Sequence, residues 1–264
     1  MEMLTLIVKN KIGKIKKEVT QVEAVNLVFE EKYRDGDAII FRTNKLNTYY
    51  VIQIDDAMRE SIVYITKNEF VYTIPFGEKK VSYSPNSFQG DRHLISARIA
   101  TESEINLYRN LAENVIDQHG DHGCFPHASA NVETRGEAVF AARNAIDGIT
   151  ENHSHGEWPY QSWGINMQED AEITLLFGRI VEIDEMELFL RADFPHDNWW
   201  EKVTFTFSDG SIISMNLTKT DRAQQLCFPK KEIEWVKLGN LIKADDPSLF
   251  PALSQWKVFG VAKY

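Results

Sequence analysis

Short apolar runs and apolar–polar alternation dominate this chain. In the first hundred residues AIIF (38–41), TYYVIQI (48–54), SIVYI (61–65) and FVYTIPF (70–76) are rich in β-branched and aromatic residues. The turn formers Asp35-Gly36-Asp37, Thr43-Asn44 and Lys67-Asn68 separate them. Short strands at that spacing predict a small β-sandwich over residues 1–100. Thr101 and Glu104 then match a T-x-x-E capping box, and Ile105, Leu107, Leu111 and Val115 supply an apolar face. That pattern predicts a helix over 101–115. QHGDHGC (118–124) reads as loop, so residues 101–124 form a joining segment. Strand patterns return in residues 125–264: AEITLLFG (171–178), EMELFLRA (185–192), KVTFTFSD (202–209), SIISMNL (211–217), EIEWVKL (232–238) and SQWKVFGVA (254–262). Asp209-Gly210 between two alternating stretches is a hairpin signal. The expected fold class is therefore all-β: two β-sandwich domains joined by a helix.

Composition sharpens this division. All six tryptophans fall at or after Trp158, and six of the seven histidines at or after His119; only His93 lies earlier. Residues 1–100 carry 15 Lys/Arg against 13 Asp/Glu, whereas residues 101–264 carry 14 against 26. An acidic second half repels phosphate backbones, so no nucleic-acid partner is expected. No apolar run is long enough to span a membrane, so no membrane partner is expected either. The start, MEMLTLIVKNKIGKIKK, interrupts its apolar stretch with Lys9 and Lys11 and does not read as a secretory signal; the expected location is cytoplasmic. Cys124 and Cys227 lie far apart without a CxxC pair, which reads as free thiols. The sequence leaves the oligomeric state open.

The densest chemistry is RADFPHDNWW (191–200). It packs Arg191, Asp193, His196, Asp197, Trp199 and Trp200 between two strand-like stretches. Adjacent strand residues face opposite ways, so one tryptophan of the pair should be buried while the other lines a surface concavity with Arg191 and His196. Flat aromatic surface beside planar donors and acceptors suits sugar rings. Arg191 would donate two parallel hydrogen bonds to vicinal hydroxyls, His196 and Asp197 would fix orientation, Trp199 or Trp200 would stack on the sugar face, and Asp193 belongs to the same candidate site. NHSHGEWPYQSW (152–163) adds His155 and Trp158 to the same candidate site, with Trp163 in the core. The alternative is a loop with a core tryptophan and ion pairs. His119, Asp121, His122, Cys124 and His127 lie close enough for zinc chemistry, but without a regular ligand spacing they read as loop residues. The carboxylate pairs Asp193/Asp197, Asp245/Asp246 and Glu232/Glu234 read mostly as solvated surface, and no GxSxG, P-loop or GxGxxG occurs.

ARNAIDG (142–148), Trp163 after a polar loop, LLFG (175–178), FSDGS (207–211) and WKVFG (256–260) occur in an order that resembles the galactose-binding-like jelly roll. That superfamily includes discoidin or coagulation-factor type C domains and sugar-binding modules of glycoside hydrolases. The resemblance covers about residues 125–264. It implies an eight-stranded antiparallel sandwich with binding loops at one end. It also implies a structural cation, often calcium, with Asp147 as carboxylate ligand, Asn152 adding a side-chain oxygen and backbone carbonyls supplying the rest. Gln255 stands where members often place a glutamate, and Asp147-Gly148 could equally be a plain turn.

The reading that follows is a carbohydrate-binding protein that performs no chemistry. Its rivals are a metal-assisted hydrolase acting on a sugar derivative and a protein-interaction module, since fold resemblance does not fix function.

Overall fold

In the computed structural model, residues 1–153, 156–191 and 196–263 are described. The fold is all-β. The N-terminal strands are β1 (Met3–Lys9), β2 (Ile15–Val22), β3 (Ala24–Phe29), β4 (Ala38–Thr43), β5 (Thr48–Gln53), β6 (Ser61–Ile65), β7 (Glu69–Thr73) and β8 (His93–Ile99). A five-residue helix α1 (Glu102–Asn106) and two short strands follow, β9 (Arg109–Asn110) and β10 (Cys124–Phe125). The remaining strands are β11 (His127–Ala130), β12 (Trp163–Gly164), β13 (Ile173–Leu190), β14 (Trp200–Phe207), β15 (Ile212–Asn216), β16 (Gln224–Lys243) and β17 (Ala252–Ala262).

Three antiparallel sheets result. The first runs β2-β1-β4-β7 and the second β10-β6-β5-β8-β3. Alternation turns Leu4, Leu6, Val8 and Phe41 of one toward Leu27, Tyr50, Ile52, Val63 and Ile95 of the other, forming one core. The unbroken apolar run in β5 has a cause: its opposite face, Tyr49 and Val51, packs with Ala100, Ile105 and Ala262, so the strand is buried on both sides.

The third sheet runs β12-β17-β13-β16-β14-β15, with β11 beside β13 and β9 beside β17. Its core holds Trp163, Trp200 and Trp256, all fully buried, with Phe177, Phe205 and Phe207. The two strand patterns at 171–178 and 185–192 are one strand, β13, bent at a break in register between Leu176 and Val181. Gly178 occupies the bend at φ +69°, where an added Cβ would fall 2.4 Å from the Phe125 ring. Before the bend β13 pairs with β11; after it, with β17. The Asp209-Gly210 hairpin is present: Ser211 N–H donates to Asp209 Oδ1 at 2.8 Å, and Thr206 pairs with Ile212.

The expected helix over 101–115 is corrected. The capping box forms as expected, with Thr101 N–H donating to Glu104 Oε2 at 2.8 Å and Glu104 N–H donating to Thr101 Oγ1 at 3.3 Å. The helix ends at Asn106 because Arg109 and Asn110 pair with Gly260 and Phe259 of β17. Val258 N–H also donates to Asn110 Oδ1 at 3.0 Å. Beyond that point Leu111 and Ala112 enter the core of the third sheet, while Val115 and Ile116 enter that of the first two. The segment spends its apolar residues on two cores, which a single helical face could not do.

Candidate functional site

Four loops meet at one end of the third sheet and enclose a concavity of about 200 Å³. Its floor is aromatic, built from Phe140 and Tyr160. Asn144 Nδ2 ties the loops carrying them together, donating to Ala138 O at 2.9 Å and Ser162 O at 3.2 Å. Arg191 lies over both rings, its guanidinium carbon 5.1 Å from the Tyr160 centroid and 5.5 Å from that of Phe140. The rim carries His196, Phe250 and Met167. The last two are 42% and 58% exposed, and His196 stacks on Phe250 with ring centroids 5.9 Å apart. Asn198 makes that contact possible. Its Nδ2 donates to Ala244 O at 3.2 Å and Ser248 O at 2.8 Å, and Ser248 Oγ donates to His196 O, joining the two rim loops.

The structure places Arg191 and His196 at this concavity and Trp158 and Trp199 away from it. Arg191 and Asp197 are both buried, and the planar fork of Arg191 is directed at Asp197: Nε donates to Oδ2 at 2.9 Å and a terminal nitrogen to Oδ1 at 2.5 Å. The two parallel hydrogen bonds expected for a ligand are therefore made inside the protein. The Asp197 carboxylate, with no exposed surface, is the counter-ion of the clamp and cannot orient a ligand. Trp200 is the buried member of the tryptophan pair, packed on Trp163 at 6.3 Å. Trp199 is half-buried but does not line the concavity; Lys219 Nζ covers its ring at 4.7 Å. It lies just before β14 and packs, partly buried, against the same core as Trp200, where it meets Lys219 rather than the binding loops. Trp158 lies elsewhere, in a cavity of about 220 Å³ with Tyr83, Arg143 and Asp147. His155 and Asp193 lie outside the described residues.

Sequence reasoning passed over Arg135, Phe140, Phe250 and Met167, and gave Tyr160 no role of its own. Arg135 had the faint signal of a Thr-Arg-Gly turn, where it adopts φ +53° and lies over Phe140 at 5.5 Å. Phe250, in a Ser-Leu-Phe-Pro loop, had none.

Among the described residues, two of the loop histidines face carboxylates. His119 Nε2 is 2.7 Å from Glu133 Oε2, and His127 Nδ1 is 2.7 Å from Asp117 Oδ1. Glu133's hydrogen bond raises His119 above the usual imidazole range. Burial pulls His127 down, but the hydrogen bond and charge of Asp117 outweigh it and the shift is upward.

Both carboxylate oxygens of Asp147 are engaged by donors of the protein. Its Oδ1 accepts from Ile149 N–H and its Oδ2 from Gln161 Nε2, both at 2.9 Å. The charge of Arg143 already acts on it, and burial raises its carboxyl to about 6. Gln255 turns its oxygen to Gly148 N–H at 3.1 Å and leaves Nε2 buried without a partner. Asn152 Oδ1 is a buried acceptor without a partner among the described residues.

No family model and no curated protein matches the chain. Solved structures similar to it include chitosan-binding module 1 of a Paenibacillus sp. IK-5 chitosanase/glucanase, 18% identical, covering 57% of this chain and 98% of the module with a TM-score of 0.41. A family 32 carbohydrate-binding module from C. perfringens, solved with galactose, is 16% identical and covers 50% of this chain and 91% of its own, with a TM-score of 0.38. A fucose-binding module from Streptococcus pneumoniae is 11% identical and covers 59% of this chain and 98% of its own, with a TM-score of 0.41. Overlaps of this depth assign neither a ligand nor site residues to the present chain.

Proposed function

We propose that the protein binds a carbohydrate, without chemistry, in the concavity at the loop end of the third sheet. One observation carries the reading: an aromatic floor and an aromatic–imidazole rim enclose the guanidinium of Arg191, while no carboxylate lines the space among the described residues. Sugar C–H faces suit Phe250 and Met167, and hydroxyls suit His196, Asn166 and the edge of Arg191. Glycoside hydrolysis needs two carboxyl groups facing across a cleft, and among the described residues this lining holds none. A shallow site of this kind holds single sugars weakly, at about −4 to −8 kcal/mol.

The test is a glycan array probed with the full chain, followed by calorimetry on the sugars retained. Phe250→Ala and His196→Ala should weaken binding at least roughly tenfold, the equivalent of about 1.4 kcal/mol, with unchanged melting temperatures. Absence of binding across the array, or binding that both variants leave intact, overturns the proposal.

A further inference from the structure

His93 is the only histidine in the first hundred residues, and nothing in the sugar-site reading uses it. It opens β8, and strand alternation turns its ring into the first core, where it is 1% exposed. Both ring nitrogens are buried without a hydrogen-bond partner among the described residues. Buried polar groups are ordinarily paired, because leaving one unpaired costs the desolvation it suffered. The tight turn after β5 brings two carboxylates to this ring. Asp55 is buried, Asp56 is exposed, and one ligand atom from each lies within 4.8 Å of the others and of a His93 nitrogen.

The spacing distinguishes what this cluster is built for. His93 Nδ1 stands 3.7 Å from Asp55 Oδ2, too far for a hydrogen bond. Two ligands of one zinc ion, each about 2.0–2.1 Å from it, stand roughly 3–4 Å apart. The Asp55 carboxylate is held in place from behind: Oδ1 accepts from Ala57 N–H at 2.9 Å and Oδ2 from Phe88 N–H at 3.0 Å. Such outer hydrogen bonds orient a ligand and leave a lone pair on each oxygen. Among the described residues no lysine or arginine forms an ion pair with Asp55 or Asp56, and Tyr33, whose ring centroid is 4.2 Å from that of His93, has a buried hydroxyl with no partner. The cluster thus has excess negative charge, an unused imidazole and one edge open to solvent through Asp56.

We propose that His93, Asp55 and Asp56 form a binding site for a divalent transition-metal ion, with zinc the best match to one imidazole and two carboxylates. The ion ties the β5–β6 turn to the start of β8 and closes one end of the first core. Its remaining coordination position faces solvent on the Asp56 side.

The full chain, stripped with chelator and dialysed, is titrated with Zn2+ by calorimetry and followed by thermal unfolding; Co2+ is added in parallel for its visible absorption. The wild type should bind one tight equivalent, melt at higher temperature with Zn2+, and give the cobalt bands of a site with protein ligands. Asp56→Asn is at the surface and should fold normally, yet lose at least roughly tenfold in affinity for that equivalent together with the melting shift. His93→Gln should do the same if it folds, and other histidines should be unaffected by either change. An unchanged titration in Asp56→Asn, or a wild type whose melting does not respond to Zn2+, overturns the proposal. A metal-independent gain in stability on acidification, with no Zn2+ response, would assign His93 and Asp55 to an ordinary ion pair instead.

Discussion

Asp197→Asn isolates the clamp beneath the candidate sugar site. The substitution keeps the shape of the side chain and removes its charge. Arg191, 3% exposed, would keep its guanidinium in place with no counter-ion, and Asn has only one oxygen to accept what two now accept. Removing one partner of a buried ion pair costs about 3–5 kcal/mol, mostly the penalty of the charge left behind. Because one acceptor survives, the lower end applies, about 3 kcal/mol. At about 2–4 °C per kcal/mol for a unit of 150–250 residues, the melting temperature should fall by roughly 6–12 °C. Urea denaturation should show the same loss in the midpoint, with an unchanged slope. The double variant Arg191→Met with Asp197→Leu removes both charges and should recover to within about 1 kcal/mol of the wild type, since apolar replacement of a buried pair is often neutral. Calorimetry on that double variant should nevertheless show weakened sugar binding, because the flat cation over Phe140 and Tyr160 is gone. The reasoning fails if Asp197→Asn costs less than about 1 kcal/mol, or if the double variant is no more stable than the single one.

The tryptophan pair should divide sharply: Trp200→Ala costs about 3–5 kcal/mol as a large core truncation, whereas Trp199→Ala, which loses one half-covered ring and its contact with Lys219, costs about 1 kcal/mol and leaves sugar binding intact, both read by denaturant titration and calorimetry. The His127–Asp117 pair predicts a pH dependence. The folded imidazole titrates above its usual value of 6.5, so the native state holds the proton more tightly; the stabilisation is complete below about pH 6.5 and is lost as pH rises through the folded value. Asp117→Asn should flatten that part of the stability–pH curve, and an unchanged curve in the variant refutes the assignment. Calcium added to metal-free protein should leave the melting temperature where it was, and a rise abolished by Asp147→Ala would restore Asp147 as a ligand.

The candidate site was half legible in the sequence. Arg191 and His196 could be singled out because they sit in one dense run, and one of Trp199 and Trp200, though not which, could be assigned to the interior because two adjacent strand residues cannot share a face. What the run could not reveal was its internal pairing. Arg191 and Asp197 are six residues apart, and whether a guanidinium meets a ligand or a neighbouring carboxylate is settled by packing, not by the order of residues in the run. Phe140 and Phe250 were invisible for a related reason. Each is a single aromatic in a short segment without a strand or helix period, and long-range hydrogen bonds such as Asn144 to Ser162 O, Ser162 N–H to Val139 O and Asn198 to Ser248 O hold those segments in place.

Sequence by itself determined the local elements: the all-β class, most strand positions, the Asp209-Gly210 hairpin and the Thr101–Glu104 capping box. Those follow from side-chain period and turn chemistry, which act over a few residues. The tertiary structure decided where local preference had rivals of similar size. A helix continuing past Asn106 was worth less than pairing Arg109 and Asn110 with β17 and dividing Leu111 and Val115 between two cores. It also decided every contact that joins distant segments, from Arg191 over Phe140 to His93 beside Asp55. Such contacts are selected by packing of the whole chain, and no period in the sequence encodes them.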